Sequence, residues 1–234
     1  MKSRGGGVGA PRPDTNPVLD SSDQQTGMPM DTLQEQHYFS TPFYVVRKME
    51  FLDAVRAVSD RYLLQAQKDQ RDVVLMTANY MNEPELSEFA QYVSQTSWNI
   101  LASQGYAMEK MVTFFMEMWT QEHNQTSYME THVHGHGAQI SAFYFLDVPP
   151  RSGKLVIHDP RPAKVIVDLP EQDHKQITNA SQQIVFNPEP GSLVFTNSWV
   201  PHSFTKNLSD QSMRFVHMNL SVTMQLEDTS VEIL

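Results

Sequence analysis

The chain has 234 residues, a formal net charge of −10 and no cysteine. Its length is enough for one domain with a full core, and its acidic balance argues against duplex nucleic acid or an anionic membrane as a partner, since both attract basic surfaces. Without cysteine there is no disulfide, thiolate metal ligand or cysteine nucleophile, so any metal has to bind to histidine, aspartate or glutamate.

The first 36 residues are rich in Gly, Pro, Asp, Ser and Gln and show no apolar periodicity. Such a segment buries too little apolar surface to offset its ordering entropy. We therefore predict a flexible tail over residues 1–36, followed by a single domain over residues 37–234. No apolar run approaches the roughly 20 residues that cross a bilayer, and residues 1–10 lack the apolar centre of a signal peptide, so we expect a cytoplasmic protein.

The first part of the domain is predicted to be largely helical. Residues 39–46 resemble a short strand, and apolar residues then recur at helical spacing over residues 49–67 and again over residues 84–103. Pro84 suits the start of the second helix and Gly105 its end. These helices, over about residues 49–104, are expected to pack on the outside of a sheet.

From about residue 112 the pattern becomes that of β-structure, with short apolar runs separated by Pro, Gly and Asn. The predicted strands are 114–120, 130–134, 139–146, 154–157, 164–167, 183–186, 192–196 and 214–224. Eight short strands after two helices predict a mainly β fold with flanking helices (α+β), its core over residues 112–224 being a jelly-roll barrel or sandwich.

Three histidines form the candidate metal site. His132 and His134 are two residues apart on a predicted strand, so their side chains point to the same face. His202 lies far downstream and could close a facial set of three neutral imidazoles around a divalent metal. The alternative is that they are ordinary surface histidines. A second register, through His134 and His136, also remains open, although Gly135 favours a bend there.

Several motifs resemble one family, the 2-oxoglutarate- and iron(II)-dependent oxygenases, in particular forms encoded by marine bacteriophages. The resemblance covers about residues 39–222. It is carried by His132-x-His134, residues 141–145 (SAFYF), residues 155–161 (LVIHDPR), residues 190–195 (PGSLVF) and residues 198–202 (SWVPH). It implies a double-stranded β-helix that uses iron(II), 2-oxoglutarate and O₂, and it places the protein in the host cytoplasm if a phage encodes it.

The chain departs from the wider superfamily in two places. His134 stands where Asp or Glu is usual, which makes an all-histidine triad unless Asp159 supplies a carboxylate ligand. Val216 stands where the serine of an Arg-x-Ser pattern is common, so the second anchor of the co-substrate is open.

Arg214 is the candidate anchor for the distal carboxylate of 2-oxoglutarate. It shares a strand face with Val216 and Met218, and a guanidinium pointing inward there would have to be paired, which a carboxylate does through two hydrogen bonds. The alternative is an internal salt bridge with Asp159 or another acid. Tyr144 and Asn219 are further candidate contacts. His217 alternates away from Arg214, so we interpret it as structural.

The resemblance implies a dioxygenase that hydroxylates its substrate while 2-oxoglutarate is converted to succinate and CO₂. The prime substrate is open: a protein side chain such as proline, a free amino acid and a small metabolite all fit. Two alternatives are a three-histidine, cupin-like dioxygenase without 2-oxoglutarate, and a non-catalytic metal-binding barrel. The sequence also leaves a homo-oligomer open.

Overall fold

The computed structural model describes residue 34 and residues 36–69 and 74–225. The predicted tail lies outside the described residues, apart from Gln34 and Gln36, so its flexibility stays a prediction. Residues from Ser40 onward belong to one compact unit. Neither helix described below is both long and apolar enough to cross a membrane.

Two helices cover one side of the molecule. The first, α1 (Leu52–Asp69), follows a single 3-10 turn at Met49–Phe51, and the second, α2 (Ser87–Ser103), follows another at Pro84–Leu86. Proline suits this entry because its missing N–H would have no partner in the first turn of a helix. Gly105 lies just past α2 at φ +93, a conformation that favours glycine, and the predicted helix end is confirmed.

Ten strands of the described chain form two antiparallel sheets. They are β1 (Phe43–Arg47), β2 (Val74–Met76), β3 (Met111–His123), β4 (Met129–His132), β5 (Ile140–Asp147), β6 (Leu155–His158), β7 (Gln183–Phe186), β8 (Ser192–Asn197), β9 (His202–Phe204) and β10 (Met213–Met224). The six-stranded sheet has the order β1-β8-β5-β10-β3-β2, and the four-stranded sheet has the order β4-β9-β6-β7. This is the predicted mainly β fold with flanking helices.

One strand prediction was wrong, and two short strands were missed. The segment predicted as a strand at 164–167 lies largely in a 3-10 helix, Pro162–Ile166, because Pro162 starts a helical turn easily and cannot donate to a strand ladder. The short strands β2 and β9 were missed, since three residues are too few to show an alternating pattern.

The six-stranded sheet is buried on both faces. One face packs against the helices through a cluster that includes Phe89, Val93 and Tyr144. The other face packs against the four-stranded sheet, and this inter-sheet core is strongly aromatic. Its buried members are Phe143, Phe145, Leu155, Ile157, Val194, Val200, Phe204, Met213 and Phe215. Burial on both faces explains why β5 is apolar at nearly every position instead of alternating.

The two faces of β10 decide which side chains reach the barrel interior. The face of Val216 and Met218 was predicted to point inward, but it belongs to the cluster under the helices. The interior face is the alternate one, where Phe215 joins the inter-sheet core and His217 contacts the ring of Phe143. The prediction failed because helices cover the outer face, so both faces of this strand are apolar.

His123 provides a pH-dependent contribution to stability. It is fully buried against Phe204 and Phe215, and burial lowers its pKa to about 4. The unfolded chain takes up this proton near pH 6.5, so the neutral ring stabilises the fold above that pH. This contribution is lost as the pH falls from about 6.5 to about 4.

We therefore expect His123→Phe to flatten the pH dependence of stability. Between pH 7 and pH 4.5 the wild type should lose about 2–3 kcal/mol more than the variant, as measured by urea unfolding at both pH values. His174→Gln, at an exposed position, is the matched control and should behave as the wild type. Equal losses in the wild type and His123→Phe would contradict the assignment.

Candidate metal centre

The pairing of β4 with β9 assembles the candidate metal site. In this antiparallel pair His132 lies directly opposite His202, so the two side chains are cross-strand neighbours. His134 follows two residues beyond His132, and its backbone N–H donates to the carbonyl of Ser198 at 2.9 Å, in the turn that leads into β9. The local backbone thus brings a third imidazole to the same point.

The three imidazoles converge tightly. One ring nitrogen of each of His132, His134 and His202 lies within 4.8 Å of the others. The ring centroids of His132 and His202 are 4.5 Å apart, and that of His134 is 5.1 Å from each. Three nitrogen ligands on one side of a divalent metal leave the other coordination positions open for a bidentate ligand and O₂.

Backbone carbonyls set the ring orientation of two of these histidines. Nδ1 of His132 donates to the carbonyl of Glu130 at 2.8 Å, and Nδ1 of His202 donates to the carbonyl of Val200 at 3.0 Å. With the ring proton held on Nδ1, the lone pair of Nε2 is free to bind a metal. This outer support is typical of metal-ligating histidines.

His134 is held by a side-chain network instead. Nδ2 of Asn219 lies 3.2 Å from Nδ1 of His134 and 2.6 Å from Oε1 of Glu117, while Oδ1 of Asn219 accepts from Ser141 at 2.8 Å. A metal on Nε2 of His134 requires the ring proton on Nδ1, and the Asn219 amide then has to turn its oxygen toward the ring. Asn219, predicted as a co-substrate contact, therefore lies where it orients His134.

Burial keeps two of the candidate ligands neutral. Together with a smaller effect of neighbouring imidazoles, it lowers the pKa of His202 to about 3 and that of His134 to about 4. A metal requires the neutral ring because only that form offers a lone pair. The donor set, its convergence and its neutrality fit a divalent cation such as iron(II).

Arg214 is not brought to the histidines. Its Nε donates to Asp147 Oδ2 and its Nη1 to Asp60 Oδ1, each at 2.5 Å. It lines a cavity of about 480 Å³ that none of the three histidines lines. The guanidinium thus lies on the helix side of the six-stranded sheet. It forms the internal salt bridge that the sequence left open as an alternative, but its partners are Asp147 and Asp60, not Asp159.

Tyr144 and Asp159 also lie away from the metal site. The ring of Tyr144 packs on Phe89 at 5.0 Å beneath the helices, and its hydroxyl donates to the carbonyl of Lys48. Asp159 is paired with Arg161 at 2.7 Å and Lys164 at 3.0 Å, and hydrogen bonds from Arg161 hold the pKa of its carboxyl far below its usual range. Among the described residues the three-ligand group is His132, His134 and His202, without Asp159.

His136 turns away from the triad. It is exposed and adopts φ +56, next to Gly137 at φ +91, so the strand does not continue as the second register requires. His136 instead lines a cavity of about 410 Å³ beside His134, together with Glu117 and Asn219.

The structure adds His217, which we had interpreted as structural. Its ring is 99 % buried and lies 4.5 Å from the ring of His134. The sequence did contain a signal for His217. Side chains on a strand alternate between its two faces, so Phe215, His217 and Asn219 of β10 share one face. His217 and Asn219 are polar side chains in the buried middle of the strand, and they indicate the face that carries chemistry.

Comparison with known proteins agrees with this geometry. Residues 117–217 match the model of a family described as "Putative 2OG-Fe(II) oxygenase". This segment of the chain is thus similar to the 2OG-Fe(II) oxygenases. The matched segment runs from β3 to β10 and contains all three histidines. No curated protein sequence matches the chain.

Solved structures of low sequence identity share the fold of this oxygenase domain. A Pseudomonas putida prolyl-4-hydroxylase has a TM-score of 0.52 at 12 % identity, covering 80 % of this chain and 95 % of its own. The alpha-ketoglutarate-dependent carbocyclase SnoK of nogalamycin biosynthesis has a TM-score of 0.55 at 14 % identity, with 79 % and 82 % covered. The epimerase SnoN, in complex with Fe³⁺ and alpha-ketoglutarate, has a TM-score of 0.51 at 14 % identity, with 80 % and 82 % covered.

The fold is therefore the double-stranded β-helix of these oxygenases, and residues 117–217 are similar to a family of oxidoreductases that use iron(II) and 2-oxoglutarate. The predicted family, fold and cofactors are confirmed. The resemblance to phage-encoded forms stays a prediction.

Proposed function

We propose that the protein is a 2-oxoglutarate-dependent dioxygenase that hydroxylates a C–H bond, with His132, His134 and His202 as the iron ligands. The observation that carries the proposal is the convergence of these three imidazoles at one end of an aromatic barrel. When bound, the iron and its co-substrate supply oxidation: O₂ gives one oxygen atom to succinate and one to the hydroxylated product, and CO₂ is released.

The residues of the chain contribute position and shielding. The carbonyls of Glu130 and Val200 fix the His132 and His202 rings, and Asn219 contacts His134. The ring of Phe143 lies 5.1 Å from that of His202, so apolar surface backs the ligands and excludes water from that side. Rigid ligands and a dry wall are what the protein adds to metal chemistry.

The direct test is succinate formation. Purified protein with iron(II), 2-oxoglutarate, ascorbate and O₂ should release succinate, with or without a prime substrate, and release should stop when any one of iron(II), 2-oxoglutarate or O₂ is omitted. A charge-transfer absorption band should also form under anaerobic conditions on adding 2-oxoglutarate to the iron(II) protein. The absence of both signals from the metal-loaded protein would refute the proposal.

A dioxygenase without 2-oxoglutarate is the second candidate. It is favoured by one observation: Arg214, the predicted anchor of the co-substrate, is engaged by Asp147 and Asp60. Because Arg214 is held by these two carboxylates, the effect of Arg214→Ala on O₂ consumption would not separate the two activities. The discriminating measurement is O₂ uptake with iron(II) and candidate substrates in the absence of any 2-oxo acid, which only this second activity sustains.

The cavity beside His134 is the proposed entrance for the prime substrate. It is lined by Glu117, His134, His136 and Asn219, and no Lys or Arg lies among its lining residues. A single carboxylate without a basic partner favours a neutral or cationic group over a phosphate or carboxylate. Peptides and amines are thus the first substrates to screen for stimulated succinate release.

A further inference from the structure

Among the described residues, three of the buried side-chain nitrogens that have no hydrogen-bond partner lie together on the neighbouring strands β3 and β10. They are Nδ1 and Nε2 of His217 and Nε1 of Trp119. A buried polar atom left without a partner is destabilising, and such atoms are rare in native structures. The cluster therefore indicates a bound group that supplies hydrogen-bond partners.

The two side chains form a pair next to the metal site. Trp119 on β3 lies opposite His217 on β10, and their ring centroids are 4.3 Å apart. The His217 ring is also 4.5 Å from that of the ligand His134. A molecule that chelates a metal on the triad would thus have these nitrogens within the length of a short carbon chain.

The polar character of this spot contrasts with the rest of the interior. Phe143, Phe204 and Phe215 fill the space between the sheets, and the described interior wall carries no Lys or Arg, since Arg214 faces the helix side. Next to the ligand His134, the unpartnered hydrogen-bond donors for a negatively charged end of a ligand are the indole N–H of Trp119 and a ring N–H of His217.

Because of the charge balance of the metal complex, no guanidinium is needed to bind the distal carboxylate of the co-substrate. Three neutral imidazoles leave the full double positive charge on a divalent metal, whereas a carboxylate ligand would cancel one unit. A 2-oxo dicarboxylate carries two negative charges, so its complex with an all-histidine site is neutral overall. Neutral N–H donors are then sufficient to hold the distal carboxylate, and a buried cation would add an unbalanced charge.

We infer that Trp119 and His217 together bind the distal carboxylate of the 2-oxo acid co-substrate, in the role predicted for Arg214. This assignment rests on the proposed function, because it requires a 2-oxo acid on the metal. Each side chain donates one N–H to a carboxylate oxygen, and hydrogen bonds to a charged acceptor are the stronger kind.

The test compares two 2-oxo acids that differ only at the distal end. Anaerobic iron(II) protein is titrated with 2-oxoglutarate and with 2-oxovalerate, which has a methyl group in place of the distal carboxylate, and the charge-transfer band gives each Kd. The wild type should prefer 2-oxoglutarate. His217→Phe and Trp119→Phe should each reduce this preference by about 10-fold or more, while Arg214→Met should leave it unchanged.

Iron(II) affinity, measured in parallel, should be unchanged in each variant, and Trp119→Phe provides a second, milder change if His217→Phe folds poorly. A preference that survives both substitutions would overturn the inference and assign the nitrogens to bound water. Loss of the preference in folded Arg214→Met would also overturn it. If the wild type forms no band with either acid, the proposed function fails as well, so the two failures are distinguishable.

Discussion

Replacing His202 by alanine is expected to reduce iron(II) affinity by more than about 100-fold and to abolish succinate formation. Even outer-shell partners of metal ligands contribute about 10–100-fold to affinity, and this change removes a ligand outright. His202 is 1 % exposed and is the best-oriented of the three, held by the carbonyl of Val200 and backed by Phe143. Isothermal titration with iron(II) or a spectroscopic surrogate such as cobalt(II) measures the affinity directly.

The matched control for this experiment is His136→Ala. His136 is exposed and lies in the same loop as His134, yet it is outside the converging group. It should retain metal binding and turnover within about twofold. Undiminished metal binding by His202→Ala, or loss of binding in His136→Ala, would move the site to the second register. Circular dichroism of both variants separates a lost ligand from a lost fold.

The candidate metal site was predicted from the sequence because its signal is local and chemical. His132 and His134 stand two apart near the end of a strand, and the chain offers no cysteine that could compete as a ligand. The position of His202 opposite His132 required the short strand β9, which the sequence did not reveal. His202 could nevertheless be predicted as the third ligand, because that prediction depended on residue type and not on strand pairing.

The co-substrate site could not be read in the same way. Assigning Arg214 to the interior required knowing which face of β10 points inward, and periodicity gives the alternation of a strand but not its absolute direction. Both faces are apolar because the helices cover the outer one. Tyr144 was misplaced for the same reason on β5. Arg214 pairs with two acids, Asp60 from α1 and Asp147 from the end of β5. Such a tertiary contact leaves no local pattern in the sequence.

Phe215→Ala is expected to lower the free energy of unfolding by about 3–5 kcal/mol, the range for removal of a buried aromatic side chain. The side chain is fully buried and stacks on Phe204 at 4.5 Å with the planes 13° apart, and it also contacts Phe145 at 5.6 Å. These partners come from both sheets, so the cavity left behind cannot collapse without moving one sheet toward the other. Urea unfolding at pH 7, where His123 is neutral, gives the value directly.

Phe114→Ala is the matched control, because Phe114 is 42 % exposed on β3 and its removal should cost less than about 1 kcal/mol. A comparable loss in both variants would mean that the inter-sheet core does not hold the barrel together. Because the metal ligands come from the paired β4 and β9 segments, folded Phe215→Ala should still bind iron(II). Retained metal binding with reduced stability would then show that the aromatic core supports the barrel, while the histidine site depends on the local pairing of His132 with His202.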